Sequence, residues 1–349
     1  MKKILVTGAT GYIGSRIVHS LLQQSDVEIH LVVRPTPGQD RTSALSAKWP
    51  QTNIVKHILP LTDLAELRLI DLTQIIHIAA ATRFNISEEE ALQSNIRPMQ
   101  ALVRLAQKNN SLQQFIFAST VYSSGKEKGT IKEEALVPAA FANFYESSKW
   151  ECENLLMKSN LNWQIQRIAT VIADSPNGNV GQLNAVHNTL KLFYYGLISI
   201  IPGIAETPIY LVNGDFVVQS MLQLMSKAPN GKFYHICQPK NQNMTLGQLI
   251  DDTFAIYQSD PKFKSRRTLK PLFCDLDSFQ KLAKGVQGFQ SGILSQAIGS
   301  ISPFGEQLFI EKDILVDHTR KYVDFPYPNQ KETFENAIRH LIANQFSIK

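Results

Sequence analysis

Cysteine is scarce: three residues in 349, Cys152, Cys237 and Cys274, far apart and odd in number. That rules out a disulfide framework, and with no C-x-x-C or H-E-x-x-H spacing no metal site is expected. Long apolar runs are missing too. The longest, over 192–201, is about half of the roughly 20 residues that a membrane span needs. The apolar start of MKKILVTGATGYIG ends at Val6, too short for the core of a secretory signal, and reads as a buried strand. With no targeting motif visible, a cytoplasmic protein with no stable membrane insertion is expected. Nor is there a long block of one charge. The 35 Lys and Arg against 30 Asp and Glu leave +5, too mild to argue for a nucleic-acid partner. No internal repeat or low-complexity tract interrupts the chain. What is present is an ordinary globular balance, 44% hydrophobic and 19% charged, ample for a full core.

The first 170 residues alternate short apolar runs with helical patterns. Runs over 3–6, 28–33, 54–59, 74–78, 114–118 and 163–167 read as buried strands. Between them, 13–23, 88–109 and 145–159 carry apolar residues at helical spacing. Such alternation predicts an α/β fold with a doubly wound parallel sheet, whose ligands gather at the carboxyl ends of the strands. After Arg167 the rhythm changes. A turn cluster at 174–179 leads to a helical pattern over 184–195, and a helix over 215–226 and a strand over 232–236 are expected to return to the sheet. The predicted organisation is a dinucleotide-binding unit over 1–170, rejoined by 205–237, with a smaller substrate-binding lobe from 175–204 and 238–349. Residues 261–270, PKFKSRRTLK, form a basic stretch that reads as a solvated face, an anionic substrate tail or membrane surface being the functional alternative.

Strand 3–6 runs straight into Thr7-Gly8-Ala9-Thr10-Gly11-Tyr12-Ile13-Gly14 and then a helical pattern. The spacing G-x-x-G-x-x-G supplies a tight turn, close backbone approach to a pyrophosphate, and a helix N-terminus that favours the anion. Twenty residues beyond Gly14, at the end of the second strand, an acidic side chain would grip the ribose 2′-hydroxyl of NAD. Arg34 stands there instead and suits the 2′-phosphate of NADP, with Arg41 to assist. Farther on, Tyr145 and Lys149 lie four apart on one helical face, where an ammonium would lower the phenol pKa and prepare Tyr145 to exchange a proton with a carbonyl. The hydroxyls of Ser119 and Thr120 end an apolar strand upstream. His77, inside a strand, reads as a core histidine, and Cys152 as a buried thiol.

Together these motifs make the chain resemble an extended short-chain dehydrogenase/reductase. Residues 7–14 resemble its phosphate loop, and Ile75-Ile-His-Ile-Ala79-Ala80 its fourth-strand signature. Asn95 matches its structural asparagine, Phe115-Ile-Phe-Ala-Ser-Thr120 the strand with the catalytic hydroxyl, and Tyr145/Lys149 the catalytic pair. Ser119-Thr-Val-Tyr-Ser-Ser-Gly125 and Tyr234-His-Ile-Cys-Gln-Pro are similar to the branch of fatty acyl-CoA reductases, thioester reductases and male sterility proteins. The likeness runs to about residue 240 and leaves the last hundred residues outside it.

The resemblance implies a Rossmann fold and cofactor contacts from Gly8, Thr10, Gly11, Tyr12, Ile13, Gly14, Arg34, Asp63, Ala79, Ala80, Tyr145 and Lys149. It implies catalysis by Thr120 and Tyr145, with Lys149 on the nicotinamide ribose and Asn95 holding a water relay. The expected enzyme is an NADP(H)-dependent oxidoreductase (NAD being possible) acting on a small apolar carbonyl, alcohol or acyl thioester, such as an acyl-CoA or carrier-bound acyl group. A sugar-nucleotide epimerase or dehydratase is the alternative, and a non-catalytic NADP-binding regulator the third reading. A homodimer is expected through helices 88–109 and 145–159, whose apolar positions (Ala91, Ile96, Met99, Leu102, Leu105, Trp150, Leu155, Leu156) exceed what one sheet face needs. The irregular apolar stretches 183–204 and 269–310 are expected to form a lid over a long apolar ligand.

Overall fold

The computed structural model describes residues 1–36, 38, 41–287 and 304–347. Seven strands form one sheet: β1 (Lys2–Thr7), β2 (Val27–Val33), β3 (Ile54–Ile58), β4 (Gln74–His77), β5 (Gln114–Thr120), β6 (Trp163–Ile168) and β7 (Lys232–Ile236). All pair in parallel, in the order β7-β6-β5-β4-β1-β2-β3. This is the doubly wound arrangement, with its switch point between β1 and β4. Both faces are covered, so the strands are apolar on both sides. Ile4 and Val6 of β1 face one core, and Leu5 between them faces the other.

Two helix layers complete those cores. On one face lie α1 (Tyr12–Leu21), α2 (Arg41–Lys48) and a later helix, Gly214–Lys227, through Ile17, Val18, Leu21, Leu45, Val217 and Met221. On the other, Met99, Leu102 and Leu105 join Cys152 and Leu156. Each such side chain contributes about 1.5–3 kcal/mol relative to exposure. The helix expected over 88–109 runs unbroken over 88–107 but widens by a π turn within it. It consists of α3 (Glu88–Ala91), a π turn (Leu92–Ile96) and α4 (Arg97–Gln107). Pro98 has no N–H to donate one turn back, and the wider turn carries Asn95.

That layer also settles the surplus of apolar positions. Ala91, Ile96, Met99, Leu102, Leu105 and Leu156 are all buried within the single chain, and Trp150 and Leu155 are half-buried. The sheet face and the packing of α4 on the turn Leu61–Glu66 consume the area assigned to a partner. These residues therefore give no argument for a dimer.

After β6 the chain leaves the sheet. Thr170–Ala173 pairs with Leu211–Asn213, Pro208–Ile209 with Met244–Thr245, and among the described residues only Lys232–Ile236 rejoins the main sheet. A second core gathers Leu190, Phe193, Tyr257, Phe263, Phe334 and Ile338. The apolar residues of 183–204 mostly belong to it rather than to a lid; of the other stretch, 288–303 lies outside the described residues. Lys312–Ile314 pairs in parallel with Gly129–Ile131, so the last hundred residues stitch back onto the first half. Among the described residues, no helix is long and apolar enough to cross a membrane.

Candidate active site

Thr7 closes β1 with its hydroxyl against His77 Nδ1 at 2.7 Å, and also accepts the Ala79 N–H at 3.3 Å. This bond and stacking on Phe117 satisfy His77, whose pKa burial lowers to about 3, so it is a core histidine. Gly8 follows at φ +76°, and a Cβ there would stand 2.7 Å from the Ala79 nitrogen. A Cβ on Gly14 would stand 2.1 Å from the Gly8 carbonyl oxygen. Only glycine permits either approach. Gly11 caps α1 without a side-chain bond, and the first turn holds no acidic residue. The result is a cradle of free N–H groups that a pyrophosphate fits.

The cradle opens onto a cleft of ≈ 400 Å³ at the strand ends, walled by Gly8, Thr10, Gly11, Tyr12, Ile13 and Gly14. Arg34 stands at one end, exposed, with Val32 and Val33 beside it, and Ala79 and Ala80 line the floor. Arg41 begins α2, but its side chain lies outside what the structure describes. Asp63 is not on the wall. It sits in the turn Leu61–Glu66, accepting the Thr62 hydroxyl at 2.8 Å, and Leu61 lines the cleft instead. The glycine usual before this aspartate is missing, and the turn carries its carboxylate aside.

At the other end lie Thr120, Tyr145 and Lys149. Tyr145 opens α5 (Phe144–Met157), which Asn143 caps by accepting the Glu146 N–H at 3.0 Å. The Tyr145 phenol lies on the cleft with Thr120, whose side chain accepts the Tyr122 N–H at 3.3 Å; burial pushes the phenol pKa up, and the nearby Thr120 hydroxyl opposes the shift. Lys149 Nζ donates to the Ala118 carbonyl at 2.6 Å and lies 4.1 Å from the Phe117 ring centre. Burial lowers its pKa to about 8. The expected depression of the phenol by Lys149 is absent from this geometry, because the strand carbonyl and the ring hold the ammonium.

Two further residues have their side chains fixed. Ser119 reaches the cleft lining, but its hydroxyl donates to Glu153 Oε1 at 2.5 Å. Glu153 in turn pairs with the buried Arg167 at 2.7 Å. Asn95 is buried off the cleft, where its amide bonds both the N–H and the carbonyl of Ala81 and donates to Ser148 Oγ at 2.9 Å. It ties the loop after β4 to α5. The thiol of Cys152 is buried and donates to the Asn95 carbonyl.

Other residues at the site carry no motif of their own. Tyr12 donates its phenol to Asp174, and Arg16 pairs with the same carboxylate while lying 3.8 Å over the Tyr12 ring. Gly181 and Gly214 make room for that ring; a Cβ on either would stand 2.2 or 2.3 Å from it. Beyond Tyr145, Phe84 meets its ring edge-on at 5.5 Å and packs on Phe304 of the lobe at 4.9 Å, with Tyr122 beside both. Gln307 donates to the buried Glu146 at 3.0 Å, and Lys312 donates to Ser124. Tyr12 lies in the glycine loop, and Tyr122 and Ser124 in the stretch 119–125 read above; of their remote partners only Asp174 had a signal, the turn cluster 174–179. The basic stretch 262–270 is not on the cleft wall. Among the described residues, no group of three or more His, Cys, Asp or Glu side chains is placed to hold a metal.

Comparison with known proteins agrees with this geometry. The family model described as male sterility protein matches residues 6–66 and 61–221, more than half of the chain. D-erythronate dehydrogenase of Haemophilus influenzae is 23% identical over 72% of this chain and 81% of its own. Fatty acyl-CoA reductase 1 of Xenopus laevis is 28% identical over 44% of the chain, a match that takes in only 35% of that relative. The terminal R domain of the myxalamid PKS-NRPS pathway superposes with TM-score 0.75 at 19% identity, over 99% of this chain and 92% of its own. UDP-glucuronic acid 4-epimerase from Bacillus cereus, in complex with NAD, gives 0.65 at 17% identity, over 99% and 100%. At such identities the two structures speak for the fold. The chain belongs to the male sterility protein family of extended short-chain dehydrogenases/reductases and is an NAD(P)-dependent enzyme.

Proposed function

We propose that the protein is an NADP(H)-dependent oxidoreductase that exchanges hydride with a carbonyl, alcohol or acyl thioester on an apolar substrate. The observation that carries this reading is that Thr120 and Tyr145 line the same cleft as the glycine cradle and Arg34. The N–H groups after Gly11 would hold the pyrophosphate, Arg34 would pair with a 2′-phosphate, and Lys149 would meet the nicotinamide ribose. The nicotinamide supplies or accepts the hydride. In the reducing direction the substrate oxygen accepts hydrogen bonds from Thr120 and Tyr145, and Tyr145 passes its phenolic proton to that oxygen. Burial keeps the phenol protonated at neutral pH, ready for this step. Asn95 acts by positioning α5 and the loop at Ala81. The aromatic rings of Phe84 and Tyr122 on the cleft wall, backed by Phe304, support an apolar group beside the reacting carbon.

The relatives named as fatty acyl-CoA reductases and the R-domain fold support an acyl thioester, on coenzyme A or a carrier, as the substrate class. The test is turnover of acyl-CoA and aldehyde substrates of increasing chain length with NADPH. Efficiency is expected to climb by up to roughly 0.8 kcal/mol per buried methylene. A flat series overturns the apolar assignment. A second reading, an epimerase that keeps NAD bound, draws on the epimerase folds; stoichiometric NAD in purified protein that exchange does not remove would establish it.

A further inference from the structure

We propose that the outer corner of the lobe around residues 262–273 is a docking surface for an anionic lipid membrane. The inference stands on the surface alone and is independent of the chemistry in the cleft. Residues 260–284 hold seven Lys and Arg against three Asp, a local charge of +4 out of +5 for the whole chain. The charge therefore belongs to one place, which the mild total conceals.

The same corner concentrates exposed apolar side chains. Among the described residues ten large apolar side chains are exposed, and five of them are here: Tyr195, Ile204, Leu269, Leu272 and Phe273. Leu269 is 82% and Leu272 71% exposed. Neighbouring contacts bring the five together. The Arg266 guanidinium lies 5.1 Å from the Tyr195 ring centre. The Leu272 N–H bonds the Ser199 carbonyl, and the Gly203 N–H bonds that of Cys274, next to Ile204. The helix Pro261–Ser265 turns Phe263 into the core and leaves Lys262 and Lys264 outside. Lys270 pairs with Asp251 and Lys281 with Asp277, whereas Lys262, Lys264 and Arg267 make no salt bridge among the described residues.

Cations around protruding leucines are what an anionic bilayer binds: the cations meet headgroup phosphates, and the apolar side chains enter the acyl boundary. A folded acidic partner would need a matched cavity for each leucine, whereas lipid accepts them wherever they stand. Nucleic acid would call for well-exposed aromatic platforms, whereas the most exposed side chains are Leu269 and Leu272, and Tyr195 and Phe273 are only 39% and 38% exposed. One helix links the corner to the cleft. Asn184, just before the helix Ala185–Tyr194, lines the cleft, and Tyr195 just after it lies on the corner. Eleven residues at about 1.5 Å each put the two about 16 Å apart along one helix.

The test is co-sedimentation of the full chain with phosphatidylcholine vesicles, with and without phosphatidylglycerol. Binding is expected to the mixed vesicles, and to weaken by roughly tenfold or more in the double variants Leu269→Asp/Leu272→Asp and Lys262→Glu/Lys264→Glu. All four side chains are exposed, and unchanged thermal unfolding of each variant shows that the fold is intact. Absence of binding to the mixed vesicles overturns the proposal, as does equal binding to both kinds. If polyglutamate and the lysine variant abolish binding while the leucine variant binds like the parent, the corner is an electrostatic site for acidic polypeptides, and the membrane proposal falls.

Discussion

Ser119 and Thr120, adjacent in sequence and both hydroxyls, serve opposite faces of β5. Thr120 lines the cleft with Tyr145, whereas the Ser119 hydroxyl is taken by the buried Glu153–Arg167 pair. Strand alternation alone separates them. The two alanine variants should therefore fail differently. Thr120→Ala is expected to lower kcat with little change in unfolding temperature. Ser119→Ala removes a donor from a buried carboxylate and should cost about 1–3 kcal/mol of stability while turnover survives. Denaturant unfolding and steady-state rates on both variants check the split; loss of kcat in Ser119→Ala with unchanged stability would reverse the assignment.

Tyr145→Phe deletes only the phenolic hydroxyl. Proton transfer of this kind supplies about 10²–10⁴-fold, so turnover is expected to fall by that order while NADPH affinity, read by fluorescence titration, stays within the parent's range. Lys149→Met should act differently, weakening cofactor binding as well as turnover. A Tyr145→Phe variant with full activity on the true substrate removes the tyrosine from the chemistry.

The parts of the site that were legible in the sequence are those fixed by backbone geometry. Gly8 and Gly14 are recognisable because no other residue fits against Ala79 and the Gly8 carbonyl, and β1 because both its faces are buried. Tyr145 and Lys149 are recognisable from helical spacing. Orientation within a strand end was not legible: nothing local to Ser119-Thr120 says which hydroxyl meets the cleft. Partners remote in sequence were equally hidden. Asp174 meets Tyr12 across 162 positions, and Gln307 meets Glu146 across 161. Such contacts follow from how the lobe packs, for which a single chain's periodicity carries no signal. The cover on the apolar positions of α4 is hidden for a related reason: the turn Leu61–Glu66 that packs on α4 lies in a loop with no helical pattern.

Arg34 is exposed at the cleft end and free to meet a phosphate. A hydrogen bond to a charged group is worth about 1.5–3 kcal/mol, so NADPH is expected to bind at least several-fold tighter than NADH. Arg34→Ala should erase most of that gap by weakening NADPH alone. Equal affinities of the unaltered protein for the two cofactors would exclude the NADP assignment.

The cleft wall formed by 181–184 and the helix behind it should be sensitive to acid through His187. The ring is buried, its Nδ1 accepts the Asn184 N–H at 3.1 Å, and its Nε2 bonds the Ile172 carbonyl at 2.7 Å. Both bonds are satisfied only by the neutral ring with its proton on Nε2, since a second proton would face the Asn184 N–H. Burial accordingly lowers the pKa from 6.5 to about 4, with the Ile172 bond opposing. The unfolded chain binds the extra proton between those values and the folded chain does not, so stability rises with pH across that window. The contribution is fully present above pH 6.5 and is lost as pH falls through about 4. Summed over the shift it is on the order of 3 kcal/mol. His187→Gln keeps a donor and an acceptor but cannot take up the proton. The parent should therefore be more stable than the variant at pH 7, and the difference should shrink steadily toward pH 4. A gap in unfolding free energy that stays constant across that range would show that His187 does not titrate as its contacts require.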